Sequence, residues 1–327
     1  MRVLVTGGAG YIGSVVVRLL LDAGYQVRVL DLLMHGGHAL LGFYYDDNFD
    51  FIRGDIRSAN VVNRALDGVD AVVHLAAIVG DPACARQPKL AREVNLDASL
   101  QIFDLSQRHG VSKFVFASTC SNYGKMADTL QYVTEECELR PVSLYAETKV
   151  AVEKALLAAS TQNGMSVTVL RFATVYGVSP RMRFDLTVNE FTMELLTKRR
   201  LIVYGEQFWR PYIHVRDAAR AIVTVLDAPQ EKISGQVFNV GHTNENYQKR
   251  QIVEMICLQI NDKVEIEHVD KEEDPRDYRV SFEKIRKRLG FHATRTVKDG
   301  IREVMDVIEQ GVITDLDNPR YRNGVVL

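Results

Sequence analysis

One segment restricts the possible folds more than any other. A short apolar run, Arg2–Thr6, leads directly into Thr6-Gly-Gly-Ala-Gly-Tyr-Ile-Gly13, and helical spacing begins at once with Ile12, Val15, Val16, Leu19 and Leu20 before stopping at Gly24. Gly8, Gly10 and Gly13 satisfy G-x-G-x-x-G. Such glycines allow a tight turn, close approach of backbone to a pyrophosphate, and packing of the helix on the strand. The helix start adds free N–H groups and a positive dipole end. Asp31 ends the next strand, Gln26–Leu30, where an acid can hydrogen-bond an adenosine ribose. The segment therefore predicts a strand–turn–helix unit that holds a dinucleotide. Leu32 and Leu33 supply no arginine for a 2′-phosphate, so NAD is expected over NADP.

The alternation continues. Phe49–Arg53, Ala71–Leu75, Lys113–Ala117 and Ser166–Leu170 read as strands rich in Val, Ile, Leu and Phe. Helical patterns fall at Asn60–Leu66, Lys89–His109 and Tyr145–Ala159. Strands with little polar alternation are those covered by helices on both faces. The predicted fold is α/β, a doubly wound parallel sheet, with a smaller α/β substrate domain intertwined with it. Residues 1–175 form the expected dinucleotide-binding domain and 176–327 the substrate domain, with segment 211–241 a candidate to return to the first.

Tyr145 and Lys149 stand four residues apart, on one helix face. An ammonium beside a phenol is expected to favour phenolate and bring the tyrosine toward working pH. Such a phenol can take a proton from an alcohol and return it. The preceding strand runs into Phe116-Ala-Ser-Thr-Cys-Ser-Asn-Tyr-Gly124, where Thr119 is the expected partner for the substrate oxygen. The net charge of −2 and the absence of long like-charge runs argue against a nucleic-acid surface. The four cysteines form no C-x-x-C pair and the histidines are scattered, so neither a metal nor a disulfide framework is expected. No charged-then-apolar leader precedes the first strand, and no apolar run reaches the ~18–20 residues of a membrane span. A reducing cytoplasm is the expected location.

Taken together, these motifs resemble an extended short-chain dehydrogenase/reductase of the NAD-dependent epimerase/dehydratase family, whose best-known members modify nucleotide-activated sugars. The likeness runs through TGGAGYIG, Asp31, GDI at 54–56, HLAA at 74–77, Asn95, Ser118-Thr119, YxxxK at 145–149, RFATVYG at 171–177, RPYIHVRDAA at 210–219, FNVG at 238–241 and DPRDYRVS at 274–281. It implies a Rossmann sheet with Thr119, Tyr145 and Lys149 as catalytic triad. It places Gly7, Gly10, Tyr11, Ile12 and Gly13 on the pyrophosphate, Asp31 on the ribose, and Asp55 and Ile56 beside adenine. Leu75, Ala76, Ala77, Asn95 and Ser118 would line the nicotinamide half, with Tyr145 and Lys149 also against the cofactor. Thr119, Thr174, Asn189, Arg210 and Arg276 would meet the nucleotide sugar. A homodimer is implied, through helices at 89–109 and 145–159.

Departures from the family pattern narrow the chemistry. Sugar 4,6-dehydratases carry Thr-Asp-Glu where this chain has Thr119-Cys120-Ser121, which disfavours water elimination. Some 3,5-epimerases place a cysteine acid/base one position after Cys120, so Cys120 is a candidate acid/base. Thr174 stands where many members have Asn. The segments 79–84 and 179–185 resemble a branch that oxidises or reduces GDP-heptoses and related sugars. The expected function is an NAD-dependent nucleotide-sugar 4-epimerase working through a 4-keto intermediate. A 4-dehydrogenase or 4-ketoreductase, on a GDP-heptose or deoxysugar for example, is the alternative, and a non-catalytic NAD sensor the remaining one.

Overall fold

A computed structural model describes residues 1–126, 131–159, 164–260, 262–270 and 276–323. Its strands are β1 (Arg2–Thr6), β2 (Gln26–Asp31), β3 (Phe49–Arg53), β4 (Ala71–His74), β5 (Lys113–Thr119), β6 (Ser166–Phe172), β7 (Thr174–Tyr176), β8 (Arg200–Tyr204), β9 (Trp209–His214), β10 (Gln236–Val240), β11 (Asn246–Gln248) and β12 (Glu265–Val269). The first helices are α1 (Tyr11–Asp22), α2 (Ala59–Leu66), α3 (Asp81–Arg86), α4 (Pro88–Arg92), α5 (Ala98–Arg108) and α6 (Leu144–Ala159). Then follow α7 (Thr187–Lys198), α8 (Val215–Asp227), α9 (Gln230–Ile233), α10 (Lys249–Cys257), α11 (Glu283–Leu289) and α12 (Val297–Glu309).

Seven strands form one parallel sheet in the order β10-β6-β5-β4-β1-β2-β3. Alternate side chains bury on opposite faces. Val3 and Val5 join the core under α1 and α8, while Leu4 joins the core under α2, α5 and α6. Burying each such side chain stabilises the fold by about 1.5–3 kcal/mol. Both faces need apolar cover, which is why the strands lack polar alternation. Strand order reverses between β1 and β4, the switch point outside which open α/β sheets place their ligands.

Strand β10 pairs with β6 inside this sheet, and α8 packs beside α1. The β9 strand that precedes them in the chain lies elsewhere, in a three-stranded sheet of order β11-β9-β7. A third, two-stranded sheet pairs β12 with β8. Those two small sheets enclose a separate core around Tyr176, Val188, Leu195, Tyr212, Ile252 and Ile301. The chain therefore crosses between layers several times.

The predicted single helix over 89–109 is interrupted. Glu93–Asp97 is a π segment between α4 and α5. Single π turns inside helices cluster at functional sites. This one turns Asn95 fully inward, where its Oδ1 accepts from the Ile78 N–H at 2.8 Å and its Nδ2 donates to the Ile78 carbonyl at 2.9 Å. Among the described residues no helix is long and apolar enough to cross a membrane.

Candidate active site

Because the seven strands are parallel, their C-terminal ends share one edge. Gly7, Asp31, Asp55, Leu75–Ala77, Thr119 and Thr174 all follow or end these strands, or lie on the short β7 that comes after β6. The glycine turn is sterically specified. Gly7 has φ +75°, and a Cβ there would lie 2.8 Å from the Ala76 nitrogen. A Cβ on Gly13 would lie 2.1 Å from the Gly7 carbonyl oxygen. Helix α1 then starts at Gly10 with no side-chain cap and no acidic residue in its first turn. Its free N–H groups and dipole suit an anion.

Asp31 is fixed by the same turn. Its Oδ2 accepts from the Ala9 N–H at 3.0 Å and its Oδ1 from the Leu33 N–H at 2.7 Å. Burial raises its pKa and these backbone bonds oppose the rise. Arg181, far along the chain, also acts on it. The sequence showed no arginine next to Asp31, and the fold supplies one. Asp55 holds its neighbour Arg57 in a side-chain pair at 2.6 Å, which keeps its carboxyl below the usual range. Ile56 is buried beside it. Leu75, Ala76 and Ala77 are half-buried on the cleft edge. Ala76 and Ala77 carry small side chains, and the backbone just after them is held by Asn95 at Ile78. Asn95 spends its amide on that backbone, so it shapes the wall from behind.

Tyr145 is half-buried and Lys149 is buried, both on α6. The Lys149 Nζ donates to the Ala117 carbonyl at 2.8 Å and sits 4.7 Å from the Phe116 ring centroid. It lies 6.0 Å from the Tyr145 ring centroid. Burial lowers the lysine to about 8. Burial raises the Tyr145 phenol, and the nearby Cys84 and Asp81 add to that rise. The expectation of a phenol made acidic by this lysine therefore does not hold in the ligand-free chain. The ammonium spends its charge on a carbonyl and a ring.

The hydroxyls at the end of β5 differ in polarity. Thr119 Oγ1 accepts from the Ser121 N–H at 3.1 Å, which leaves its proton free to donate. Ser118 donates its proton to Glu153 Oε1 and accepts from Asn122 Nδ2 at 3.1 Å. Glu153 pairs with Arg171 at 2.8 Å, both nearly sealed from solvent. Arg171 reaches the Tyr123 hydroxyl at 2.9 Å, and that hydroxyl donates to Asn239 Oδ1 at 2.7 Å. This network joins β5, α6, β6 and β10 behind the cleft. Sequence reasoning missed it; the one available signal was Glu153, one further turn beyond Lys149 on the same helix face.

Cys120 is 1% exposed, donates to the Arg171 carbonyl at 3.2 Å, and packs in the core under α1 and α8. Burial raises its thiol well above the usual range. The fold thus removes Cys120 from the acid/base candidates: an enclosed, un-ionised thiol has no path to a sugar. Ser121, the next residue, accepts from the Tyr278 hydroxyl at 3.5 Å.

Of the expected substrate residues, Arg210 is buried with its guanidinium 5.7 Å from the Tyr278 ring centroid. Arg276 pairs with Asp81 at 2.9 Å, and Asp81 also accepts from Ser143 at 2.7 Å. Asp274 and Pro275 of the same motif lie outside the described residues. Thr174 is half-buried on β7. Asn189 is fully buried and its amide is already engaged: it accepts from the Gly177 N–H at 2.9 Å and donates to the Arg183 carbonyl at 2.9 Å and to the Tyr11 hydroxyl at 3.2 Å. It holds the 177–183 segment rather than facing the cleft.

Residues 3–241 match the profile of the NAD dependent epimerase/dehydratase family. A UDP-glucose 4-epimerase of Corynebacterium glutamicum is 28% identical over 314 residues, covering 90% of this chain and 92% of the relative. A dTDP-glucose 4,6-dehydratase of Streptomyces niveus is 31% identical over 318 residues, covering 94% and 92%. The crystal structure of Thermus thermophilus UDP-glucose 4-epimerase in complex with NAD superimposes with a TM-score of 0.83 at 29% identity, over 96% of this chain and 100% of that one.

Proposed function

We propose, for a chain that belongs to the NAD dependent epimerase/dehydratase family, that it is an NAD-dependent nucleotide-sugar 4-epimerase. The observation that carries this reading is the Thr119–Tyr145–Lys149 group at the end of β5 and on α6, on the same sheet edge as the glycine turn and Asp31. NAD fits the residues present. The cradle at Gly7 and Gly13 is closed to any Cβ, Asp31 is oriented by two N–H groups, and the start of α1 is uncapped. Gly7–Gly13 and Asp31 would hold its pyrophosphate and adenosine ribose, and Leu75–Ala77 and Ser118 would line its nicotinamide end. Bound NAD supplies hydride acceptance and return at a sugar carbon.

The chain's own residues handle protons and position. Thr119 donates to the sugar 4-oxygen through its free hydroxyl proton. Tyr145 takes the 4-hydroxyl proton during oxidation and returns it after the ring has turned. In the ligand-free site the phenol is held protonated by burial, so substrate and cofactor must supply the field that releases its proton. Lys149 anchors α6 to β5 and contributes positive charge below its pKa of about 8. Arg210 and Arg276 are the groups for the substrate diphosphate, a guanidinium being suited to bind it in a planar fork. Substrate phosphate would compete with Asp81 for Arg276.

Elimination of water, the reaction of the dehydratase relatives, is not supported at Cys120 and Ser121, because neither side chain is a carboxyl and Cys120 is enclosed. We infer further a homodimer through α5 and α6, which lie side by side on one sheet face, and a reducing cytoplasmic setting that keeps Cys84, Cys120, Cys137 and Cys257 as free thiols. A solution mass of one chain at every concentration would sink the dimer.

The deciding experiment is to release copurified ligands by heat, identify them by mass, and incubate the protein with UDP-, GDP-, dTDP- and CDP-sugars. A 4-epimer formed without net NADH supports the proposal. Stoichiometric NADH or a released keto sugar would instead assign a dehydrogenase or 4-ketoreductase. Tyr145→Phe is expected to lose turnover by ~10²–10⁴-fold while keeping NAD. Inactivity of both forms on every sugar, with NAD bound, would favour a sensor.

A further inference from the structure

Residues 177–185 form a strap that leaves β7 and crosses the start of α1. Tyr11 donates to the Gly177 carbonyl at 2.6 Å, and Ser179 Oγ donates to the Tyr11 carbonyl at 2.7 Å. Asn189 holds the strap at Gly177 and Arg183. Arg183 is paired in a fork with Asp185, at 2.9 and 2.8 Å, and Asp185 also accepts from the Asn323 N–H at 3.0 Å.

Arg181 stands apart from this pattern. The residue is 6% exposed, and neither Nε nor Nη2 meets a hydrogen-bond partner. Burial and the like charge of Arg183 lower it to about 10, against the opposing pull of Asp185, Asp31 and Tyr11, so it remains a cation at neutral pH. Asp31 does not neutralise it directly, since its oxygens are turned to the Ala9 and Leu33 N–H groups. Leaving a buried charge without a partner is among the most destabilising arrangements a fold can hold. An anion that met Nε and Nη2 would remove this cost and so stabilise the strap in its closed position. The uncapped start of α1, a helix of 12 residues, belongs to the same place through Tyr11 and Ser179.

We propose that Arg181 binds the pyrophosphate of the dinucleotide together with the α1 N-terminus, and that closure of the 177–185 strap is thereby linked to cofactor occupancy. This inference rests on the dinucleotide reading above. Linkage is reciprocal: the cofactor closes the strap, and the closed strap tightens the cofactor. Closure also reaches the reaction end of the site, because Arg183 on the strap is among the charges that act on Tyr145.

The test uses the full chain stripped of ligand, as wild type, Arg181→Gln and Arg181→Lys. Binding of NAD⁺, NADP⁺ and adenosine is measured by calorimetry. Hydrogen exchange over residues 177–185 is followed with and without NAD⁺. A charged hydrogen bond is worth ~1.5–3 kcal/mol, so Arg181→Gln is expected to weaken NAD⁺ by about tenfold or more. It should leave adenosine binding unchanged and abolish the protection that NAD⁺ gives the strap, while Arg181→Lys keeps part of both. The ligand-free Gln variant should melt no lower than wild type, because it removes an unpaired charge; should it fail to fold, the Lys variant decides by the same two readouts. Unchanged NAD⁺ affinity with unchanged strap protection would overturn the inference. So would a loss confined to NADP⁺, which would place the guanidinium at a 2′-phosphate. A wild-type chain that binds no dinucleotide would sink the functional reading itself, a distinguishable result.

Discussion

The Lys149 ammonium donates to the Ala117 carbonyl at 2.8 Å, and so ties α6 to β5 two residues before Thr119 instead of reaching the phenol four residues before it. The fold thereby buries a cation against a strand end and lowers its pKa to about 8. Below that value the charged form predominates, and it is the form the fold disfavours. The penalty is full below about 8 and fades as pH rises toward the free-lysine value of 10.5. Lys149→Met should therefore gain more, or lose less, relative to wild type at pH 7 than at pH 10. Thermal melts of both ligand-free proteins at the two pH values check this. An equal difference at both would show that the lysine is not buried as a cation.

Thr119 and Cys120 are neighbours with opposite roles. Thr119→Val removes the free hydroxyl proton at the cleft and is expected to lower kcat by about 10²-fold, with Thr119→Ser retaining most activity. Cys120→Ser is expected to keep its turnover per folded molecule, since the thiol faces the Arg171 carbonyl. Steady-state rates of the three variants test both statements. A large loss in Cys120→Ser with intact melting would return the thiol to the chemistry.

Gly13→Ala sets two effects against each other. Inside a helix, alanine is ordinarily favoured over glycine by ~0.5–1 kcal/mol. Here the added Cβ would sit 2.1 Å from the Gly7 oxygen, an overlap with backbone that cannot swing aside. Overpacking of this kind costs ~1–3 kcal/mol, so the clash wins. We expect a lower denaturation midpoint and a loss of NAD binding, measured by urea titration and calorimetry. A stabilised Ala variant would refute the packing assigned to the turn.

Glu153 and Arg171 form a pair whose side chains are 2% and 5% exposed, with Ser118, Asn122 and Tyr123 around it. Breaking one side of a buried pair costs ~3–5 kcal/mol because the other charge is left alone. Glu153→Gln should approach that loss. The double variant Glu153→Leu with Arg171→Met should be less destabilised than the sum of its single variants. Additive losses would mean that the two side chains do not act as one unit.

Much of this site is legible along the chain. The glycine spacing, the acid that ends β2, and the Tyr145–Lys149 spacing are all short-range patterns, and steric or helical rules read them directly. The parallel order of the strands follows from their alternation with helices and their apolar runs. Other assignments needed the packed molecule. A π segment at Glu93–Asp97 turns Asn95 toward Ile78, where a continuous helix was expected. Cys120 has the right sequence neighbours for chemistry, but just past the end of β5 its side chain packs into the core under α1 and α8.

The chain's local patterns by themselves determined the fold class, the glycine turn and the helix bearing the phenol, because each depends on residues within a few positions of one another. Only the tertiary structure decided how charges are placed: Arg181 within the field of Asp31 but not hydrogen-bonded to it, Glu153 against Arg171, and Lys149 on a carbonyl rather than a phenol. Burial and charge partnership are set by groups distant in sequence, and the interactions that shift a pKa depend on distance and solvent exclusion, which no local pattern encodes.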